Sequence, residues 1–175
     1  VGGELNRRIG ASLGPFWGTN SNQSGIFLGP KKDFEYPVIA RKAELAEKRI
    51  VETRHGGMQP AWKLAYTGSV GSQALMGIPY LYKLRFEDEV LCNHSLVWPF
   101  ESGFSTDPLG STKDLILHAE IWPSLVERPR KDSIPDREQV KTVVAWLREH
   151  QRANTLAKLF DTPDGLTKSE IKHCV

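Results

Sequence analysis

The segment Asp114–Pro123, DLILHAEIWP, carries the strongest structural signal in the chain. An apolar run of this length, ended by a proline, predicts a strand buried on both faces, as in a parallel or mixed sheet of an α/β protein. Glu120 lies near the carboxyl end of that strand, where the ligand sites of α/β sheets are found. A buried carboxylate is costly unless a metal ion, a base or a hydrogen-bond donor pairs with it. Glu120 is therefore the first candidate site residue.

His118 is the second candidate, because it shares one face of the predicted strand with Glu120. Two residues along a strand span about 6.5 Å, so both side chains are within reach of one ion or one bound phosphate. The alternative interpretation is a structural histidine whose ring is satisfied inside the protein, since an isolated H-x-E pattern is a weak signal.

A second apolar run, Ser95–Phe100, predicts a companion strand that ends at Pro99. Like the first run, it is short, apolar and stopped by a proline. We therefore expect an α/β fold, helix-rich, with a small mixed sheet that contains Ser95–Phe100 and Leu115–Trp122.

Helical periodicity marks several other stretches. The clearest follows Pro135, where Asp136 occupies the position of an N-cap and apolar residues repeat at i, i+3, i+4 and i+7. A charged amphipathic pattern predicts a surface helix over Pro37–Arg54. Shorter helical pieces are predicted at Glu4–Ile9 and Leu156–Phe160.

Small residues open a further predicted helix and form a candidate anion site at Gly68, Ser69, Gly71 and Ser72. The amino-terminal N–H groups of a helix can bind a phosphate. The spacing matches neither a P-loop nor a G-x-G-x-x-G fingerprint. The alternative interpretation is close packing of the helix against a neighbour, which small residues permit.

Two other clusters have ordinary structural interpretations. Glu87-Asp88-Glu89 predicts a solvated turn, because adjacent carboxylates in a loop seldom converge on one ion. Phe16 and Trp17 lie in a long loop from Gly10 to Lys32, and we expect both rings to pack.

Glu101 and Glu120 are the residue types of an acid–base pair, although nothing in the sequence places them together.

Composition excludes several classes of protein. The 175 residues suffice for one domain, 1–175, and a formal net charge of +2 does not indicate a nucleic-acid-binding surface. Two cysteines without metal-ligand spacing favour a reducing compartment. No apolar run reaches the ~18 to 20 residues of a membrane span, and no signal-peptide pattern is present. These features predict a cytoplasmic protein without a membrane partner.

The two ends of the sequence lead us to expect a fragment of a longer chain. The sequence opens with Val1-Gly2-Gly3 in place of a methionine, and it enters a helical pattern almost at once. It closes with Ile171–Val175 in mid-pattern, without a capping signal. A processed, mature chain is the alternative.

Four segments together resemble an uncharacterised bacterial family related to the predicted nucleases with a ribonuclease-H-like fold. They cover most of the chain up to about Phe160, and the glycine-serine segment and the Glu120 strand are the specific parts. Some members of that family carry labels as cobalamin or molybdopterin biosynthesis proteins. The four segments are Leu5–Ile9 with Gly14–Gly18, Trp62 with Gly68–Pro79, Val97–Phe104, and His118–Leu125 with Asp136–Val140.

The resemblance implies a metal-dependent nuclease or phosphoesterase. In such a family, Glu120 corresponds to the third carboxylate of a cluster that holds Mg²⁺ or Mn²⁺, and His118 stays a ligand candidate because of its place on the same strand face. Two aspartates that precede it in the family have no counterpart here, and Gln59 stands where the family tends to have a lysine. The expected partners are nucleic acid or a phosphorylated small molecule.

A non-catalytic binding or interaction module is the alternative hypothesis. It predicts that Glu120 forms an ion pair with an arginine such as Arg7 or Arg49. It also predicts an exposed apolar face or strand edge that association completes, in a homo-oligomer or with another partner.

Overall fold

The computed structural model describes residues 1–10, 13–41, 43–108, 115–126 and 134–174. These residues form two units, Val1–Tyr82 and Lys83–Val175, and each unit is described by itself.

Helix α1, Gly2–Ile9, opens the first unit and confirms the helix predicted at the amino end. It ends at Gly10, whose φ of 83° is left-handed and suits glycine. Glu4 accepts hydrogen bonds from Arg7 and Arg8, one turn further along the helix. These two guanidinium groups, Arg7 first, lower the pKa of Glu4 to about 2.

A buried asparagine on α1 anchors the long loop that follows. Asn6 is fully buried; its Nδ2 donates to the carbonyls of Phe16 and Phe27, at 2.9 and 2.6 Å. Its Oδ1 accepts the N–H of Phe16 at 3.0 Å. Phe16 also meets the ring of Trp62 edge to face, with centroids 5.1 Å apart. The aromatic loop is therefore packed, and its backbone is fixed by one amide.

The helix predicted over Pro37–Arg54 is wrong for most of its length. Strands β1, Val38–Ala40, and β2, Ala43–Leu45, form an antiparallel pair there. Only helix α2, Ile50–Arg54, matches the prediction. In β1 burial alternates, with Val38 and Ala40 buried and Ile39 exposed, which is the period of a strand. Over so few residues the spacing of apolar side chains fits both the helical period of 3.6 and the strand period of 2. Tertiary packing therefore decides between helix and strand.

Helix α3, Gly71–Tyr82, confirms the helix predicted after the glycine-serine segment. A π-helical turn, Lys83–Glu87, follows and opens the second unit. The helix has no charged residue, and Met76, Ile78 and Tyr80 are each more than 60% exposed. An apolar helix is normally buried, so this exposure is unusual.

The second unit contains the predicted pair of strands. Strands β3, Ser95–Trp98, and β4, Ile116–Ala119, are parallel, with Val97 opposite His118 in the register. The α/β class is therefore confirmed, with two separate two-stranded sheets among the described residues. The expectation that β4 is buried on both faces is wrong, because Ile116 is 44% exposed. Among the described residues β4 has a neighbouring strand on one side only, so it is an edge strand.

Helix α4, Pro135–Arg152, confirms the clearest helical prediction, and the side chain of Val143 on this helix is buried. Its N-cap is Ile134, so Asp136 lies in the first turn and not at the cap. A 3₁₀ helix, Leu156–Phe160, and helix α5, Lys168–Cys174, complete the unit. None of the helices in the described ranges combines the length and apolar character that a bilayer crossing requires.

Candidate functional site at the carboxyl ends of β3 and β4

The parallel pairing of β3 and β4 brings the carboxyl ends of both strands to one edge. Glu120 follows β4 directly, and Glu101 lies in the turn that follows β3. Trp98, the last residue of β3, packs edge to face against Phe104 and Phe160 and fixes that end of the strand. Glu120 therefore occupies the position after a parallel strand at which ligand sites of α/β sheets are found, and Glu101 lies in the turn after the neighbouring strand.

Glu101 is fully engaged by neighbouring donors. The guanidinium of Arg85 donates to both of its carboxylate oxygens, with Nε–Oε2 at 2.8 Å and Nη2–Oε1 at 2.9 Å. The backbone N–H of Val97 donates to Oε2 at 2.8 Å. Arg85 is itself held by the carbonyl of Cys92, which accepts from Nη1 at 2.7 Å.

These donors stabilise the ionised carboxylate. The Arg85 guanidinium is the main reason that the pKa of Glu101 is lowered, and Glu101 in turn raises the pKa of Arg85. A general acid must hold a proton near neutral pH, so Glu101 does not suit that role. The pair of Glu101 and Glu120 as acid and base is therefore not favoured by this geometry.

Glu120 has different surroundings. It is exposed, which corrects the expectation of a buried carboxylate, because β4 ends at Ala119 and the chain leaves the sheet there. His118 precedes it on β4 and is half-buried. The Nε2 atom of His118 is buried and has no hydrogen-bond partner among the described residues. A coulombic interaction with His118 is the smallest of the causes that lower the pKa of Glu101.

The donor set suits a divalent ion only in part. Mg²⁺ and Mn²⁺ prefer oxygen ligands, and Mg²⁺ often uses one or two protein carboxylates together with water and substrate phosphate. Glu120 is exposed, and both oxygens of Glu101 accept hydrogen bonds from Arg85 or Val97. Within the described residues, no group of three or more histidine, cysteine or acidic side chains is placed to hold an ion. In the part of the chain that the structure describes, Glu120 is therefore a candidate ligand that does not belong to a complete cluster.

The glycine-serine segment lies in the first unit, and several of its polar groups are hydrogen-bonded to other residues of that unit. The N–H of Gly71 donates to the carbonyl of Lys63 at 2.9 Å, and the N–H of Ser69 donates to Tyr66 at 3.0 Å. The Ser72 hydroxyl donates to the side chain of Gln73. Two of the amides expected to bind an anion are thus engaged, which favours the packing interpretation for them.

Gly71 shows why small residues are needed in this segment. A Cβ at Gly71 would lie 2.4 Å from the carbonyl oxygen of Ala61 and 2.6 Å from that of Lys63. Gly68 has a φ of 77°, so it forms a turn in the left-handed region. Backbone contact and turn geometry therefore account for both glycines without a ligand.

Lys63 is the residue near this segment that the sequence did not single out. Its ammonium donates to the carbonyl of Thr67 at 3.0 Å and to Oε1 of Gln59 at 3.3 Å. It also lies 5.9 Å from the ring centroid of Trp17. Lys63 stands in a run, Ala61–Tyr66, whose pattern fits either a strand or a helical turn, so its neighbours could not be predicted.

The other side chains considered from the sequence are paired within their own segments. Arg7 binds Glu4, and Arg49 binds Glu52 at 2.8 Å. Asp88 caps its own turn, because its Oδ1 accepts the N–H groups of Val90 and Leu91. This contact agrees with the prediction of a solvated turn at Glu87-Asp88-Glu89, beside a cavity of about 480 Å³.

Comparison with known proteins supplies no family. The chain matches no family model, and no curated protein or solved structure is significantly similar to it. The functional interpretation therefore depends on the residues at the edge of β3 and β4.

Proposed function

We propose that this chain contributes to a metal-dependent phosphodiester hydrolase and that Glu120 is a ligand of its Mg²⁺ or Mn²⁺ ion. The observation that carries the proposal is the position of Glu120, exposed and directly after a parallel strand. The resemblance to nucleases with a ribonuclease-H-like fold selects the same residue. Both arguments name an accessible carboxylate at the carboxyl end of β4.

In such a site the metal ion and the residues of the chain have different roles. A bound divalent ion would supply Lewis acidity and an activated water for attack on a phosphodiester. Glu120 would offer a carboxylate oxygen to the ion. The Arg85–Glu101 pair would hold the turn after β3 in place. The proposal requires further ligands besides Glu120, from water, substrate phosphate or carboxylates outside the described set.

Hydrolysis of a simple diester tests the function. Bis(4-nitrophenyl) phosphate and a single-stranded oligonucleotide are incubated with the chain in Mn²⁺, and separately with Glu120→Gln. We expect turnover by the chain and its loss in Glu120→Gln. Glu149→Gln is the matched control, because Glu149 is an exposed glutamate on α4. Absence of turnover in the chain, or equal turnover in Glu120→Gln, contradicts the proposal.

An interaction module is the second candidate function, and the exposure of α3 favours it. Met76 and Tyr80 are each 67% exposed on a helix without charge. Exposed apolar patches can mark protein interaction sites. Binding of the dye ANS should fall in Met76→Lys and Tyr80→Lys, whereas Glu149→Lys should leave it unchanged. Equal dye binding in all variants would remove this support.

A further inference from the structure

We propose that a cavity at the carboxyl end of helix α4 binds a small organic cation, an ammonium group carried on a short aliphatic chain. The cavity has a volume of about 390 Å³ and lies within the second unit. Its size is in the range of small-molecule sites. Glu120 does not line it, so the site stands independently of the hydrolase proposal.

The walls of the cavity are held together by hydrogen bonds. One wall is the segment Thr106–Pro108, and the other is the end of α4 with the 3₁₀ helix Leu156–Phe160. The carbonyl of Phe160 accepts the N–H of Ser105 at 2.9 Å, which ties the two walls to each other. The hydroxyl of Ser105 accepts the N–H of Asp107 at 3.0 Å and fixes the turn that carries this residue. A ligand therefore meets walls that are formed before it binds, which lowers the entropy lost on binding.

Each polar side chain in the lining carries an oxygen atom that accepts hydrogen bonds. Asp107 contributes a carboxylate, and Thr106 contributes a hydroxyl. Gln151 and Asn154 contribute amide oxygens. An ammonium group has three N–H donors and no acceptor, so acceptors of this kind suit it. A phosphate or a carboxylate ligand would be repelled by Asp107.

The charges around the cavity also favour a cation. Among the residues that the structure describes, Asp107 is the only charged side chain in the lining. The basic residues in the same part of the chain, Arg152 and Lys158, do not line the cavity. Helix α4 ends at Arg152, between the lining residues Gln151 and Asn154. The carboxyl end of a helix carries a partial negative charge, so the helix acts in the same direction as Asp107.

The rest of the lining is apolar and favours an aliphatic chain on the cation. It consists of Pro108, Leu156, Ala157 and Phe160. A hydrated metal ion would gain nothing from these side chains, whereas methylene groups gain by leaving water against them. A neutral alcohol of the same length would match the apolar part and leave the carboxylate of Asp107 without a cation. An alkylammonium ion matches both parts of the lining.

Ligand-observed NMR titration with n-butylammonium in metal-free buffer at neutral pH tests the proposal, with 1-butanol and butyrate as comparison probes. We expect saturable binding of butylammonium and at least about tenfold weaker binding of the other two. Asp107→Asn keeps the shape of the side chain and removes its charge, and it should weaken butylammonium binding by roughly tenfold. Asp164→Asn is the matched control, because Asp164 is exposed and lies outside the cavity. Absence of saturable binding, equal binding of 1-butanol, or unchanged affinity in Asp107→Asn overturns the proposal.

A series of amines from methylammonium to n-butylammonium tests the apolar part of the lining without a change in the protein. Each methylene group buried against Leu156 and Phe160 should tighten binding by up to about fourfold. The same NMR titration measures the affinities. Equal affinity along the series would show that the ligand meets the carboxylate alone, and it would contradict the assignment of an aliphatic chain to this cavity.

Discussion

The Asn6 anchor of the first unit and the carboxyl ends of β3 and β4 both carry polar side chains, but these side chains differ in burial. Asn6 is fully buried, and both ends of its amide are bonded to backbone groups of one loop. At the strand edge, Glu101 is bonded by Arg85 and Val97, whereas Glu120 is exposed. A buried polar group that is bonded to the backbone stabilises the fold, and an exposed carboxylate can be reached by a ligand. The comparison thus distinguishes a polar side chain with a structural role, Asn6, from one proposed to bind a ligand, Glu120.

The largest effect is expected at Asn6. Asn6→Leu keeps the volume of the side chain but leaves the Phe16 N–H and the carbonyls of Phe16 and Phe27 without their partner. Buried groups that lose their partner cost about 1–3 kcal/mol each, so we expect a loss of about 3 kcal/mol in the free energy of unfolding. Urea denaturation followed by tryptophan fluorescence measures it.

Asn20→Leu is the control for that experiment, because Asn20 is exposed and its side chain makes no cap hydrogen bond. It should change stability by less than about 0.5 kcal/mol. Equal effects of the two substitutions would show that the Asn6 amide does not anchor the loop.

A pair of glycine substitutions on α3 comes next. Gly71→Ala forces a methyl group against the carbonyl oxygens of Ala61 and Lys63, and should cost about 1–3 kcal/mol. Gly77→Ala meets no atom within 4 Å and should stabilise the helix by about 0.5–1 kcal/mol. Thermal denaturation of both variants should give shifts of opposite sign. A tolerated Gly71→Ala would reopen the interpretation of this segment as an anion site.

The Glu101 ion pair is expected to have a smaller effect that depends on pH. Glu101→Gln removes the charge that Arg85 binds and should cost about 1–2 kcal/mol near pH 7. Because the folded protein lowers the pKa of Glu101 below its ordinary value of 4.5, this stabilisation is present above that pH. It is lost as the pH falls through the lower pKa of the folded state.

Urea denaturation from pH 7 down to pH 3 measures the difference between the chain and Glu101→Gln. We expect the difference to shrink below about pH 4.5. Glu149→Gln, on the exposed side of α4, should show no such trend. A difference that stays constant with pH would mean that the Arg85 pairing does not stabilise the folded state.

The smallest effect on stability is expected at the proposed metal ligand. Glu120 is exposed, so Glu120→Gln should change the free energy of unfolding by less than about 0.5 kcal/mol in the absence of metal. Thermal denaturation with a chelator present measures this. A large loss of stability would make Glu120 a structural residue, like Asn6.

Elements with a long and consistent pattern were predictable from the sequence. Helix α4 repeats its apolar residues over several turns, and the two apolar runs before prolines correspond to β3 and β4. The β1–β2 pair was not predictable, because three-residue strands are too short to show a period against a charged background. The burial of β4 was overestimated. An apolar run indicates that a strand can be buried, but it does not indicate how many elements pack beside that strand.

The site was predictable only at the level of single residues. Glu120 is marked by its place at the end of an apolar run. The Arg85–Glu101 pair joins residues sixteen positions apart, and no local pattern links them. Asn6 likewise bonds to residues 10 and 21 positions away, so its role depends on how the loop folds back. Contacts of this kind follow from tertiary structure.

Calorimetric titration with Mn²⁺ and then Mg²⁺ is the most direct test of the central claim that Glu120 is a metal ligand. It compares the full chain with Glu120→Gln and with the Glu149→Gln control. We predict saturable binding to the chain and to Glu149→Gln, and its loss in Glu120→Gln. Binding that survives in Glu120→Gln, or no binding to the chain at all, would contradict the claim.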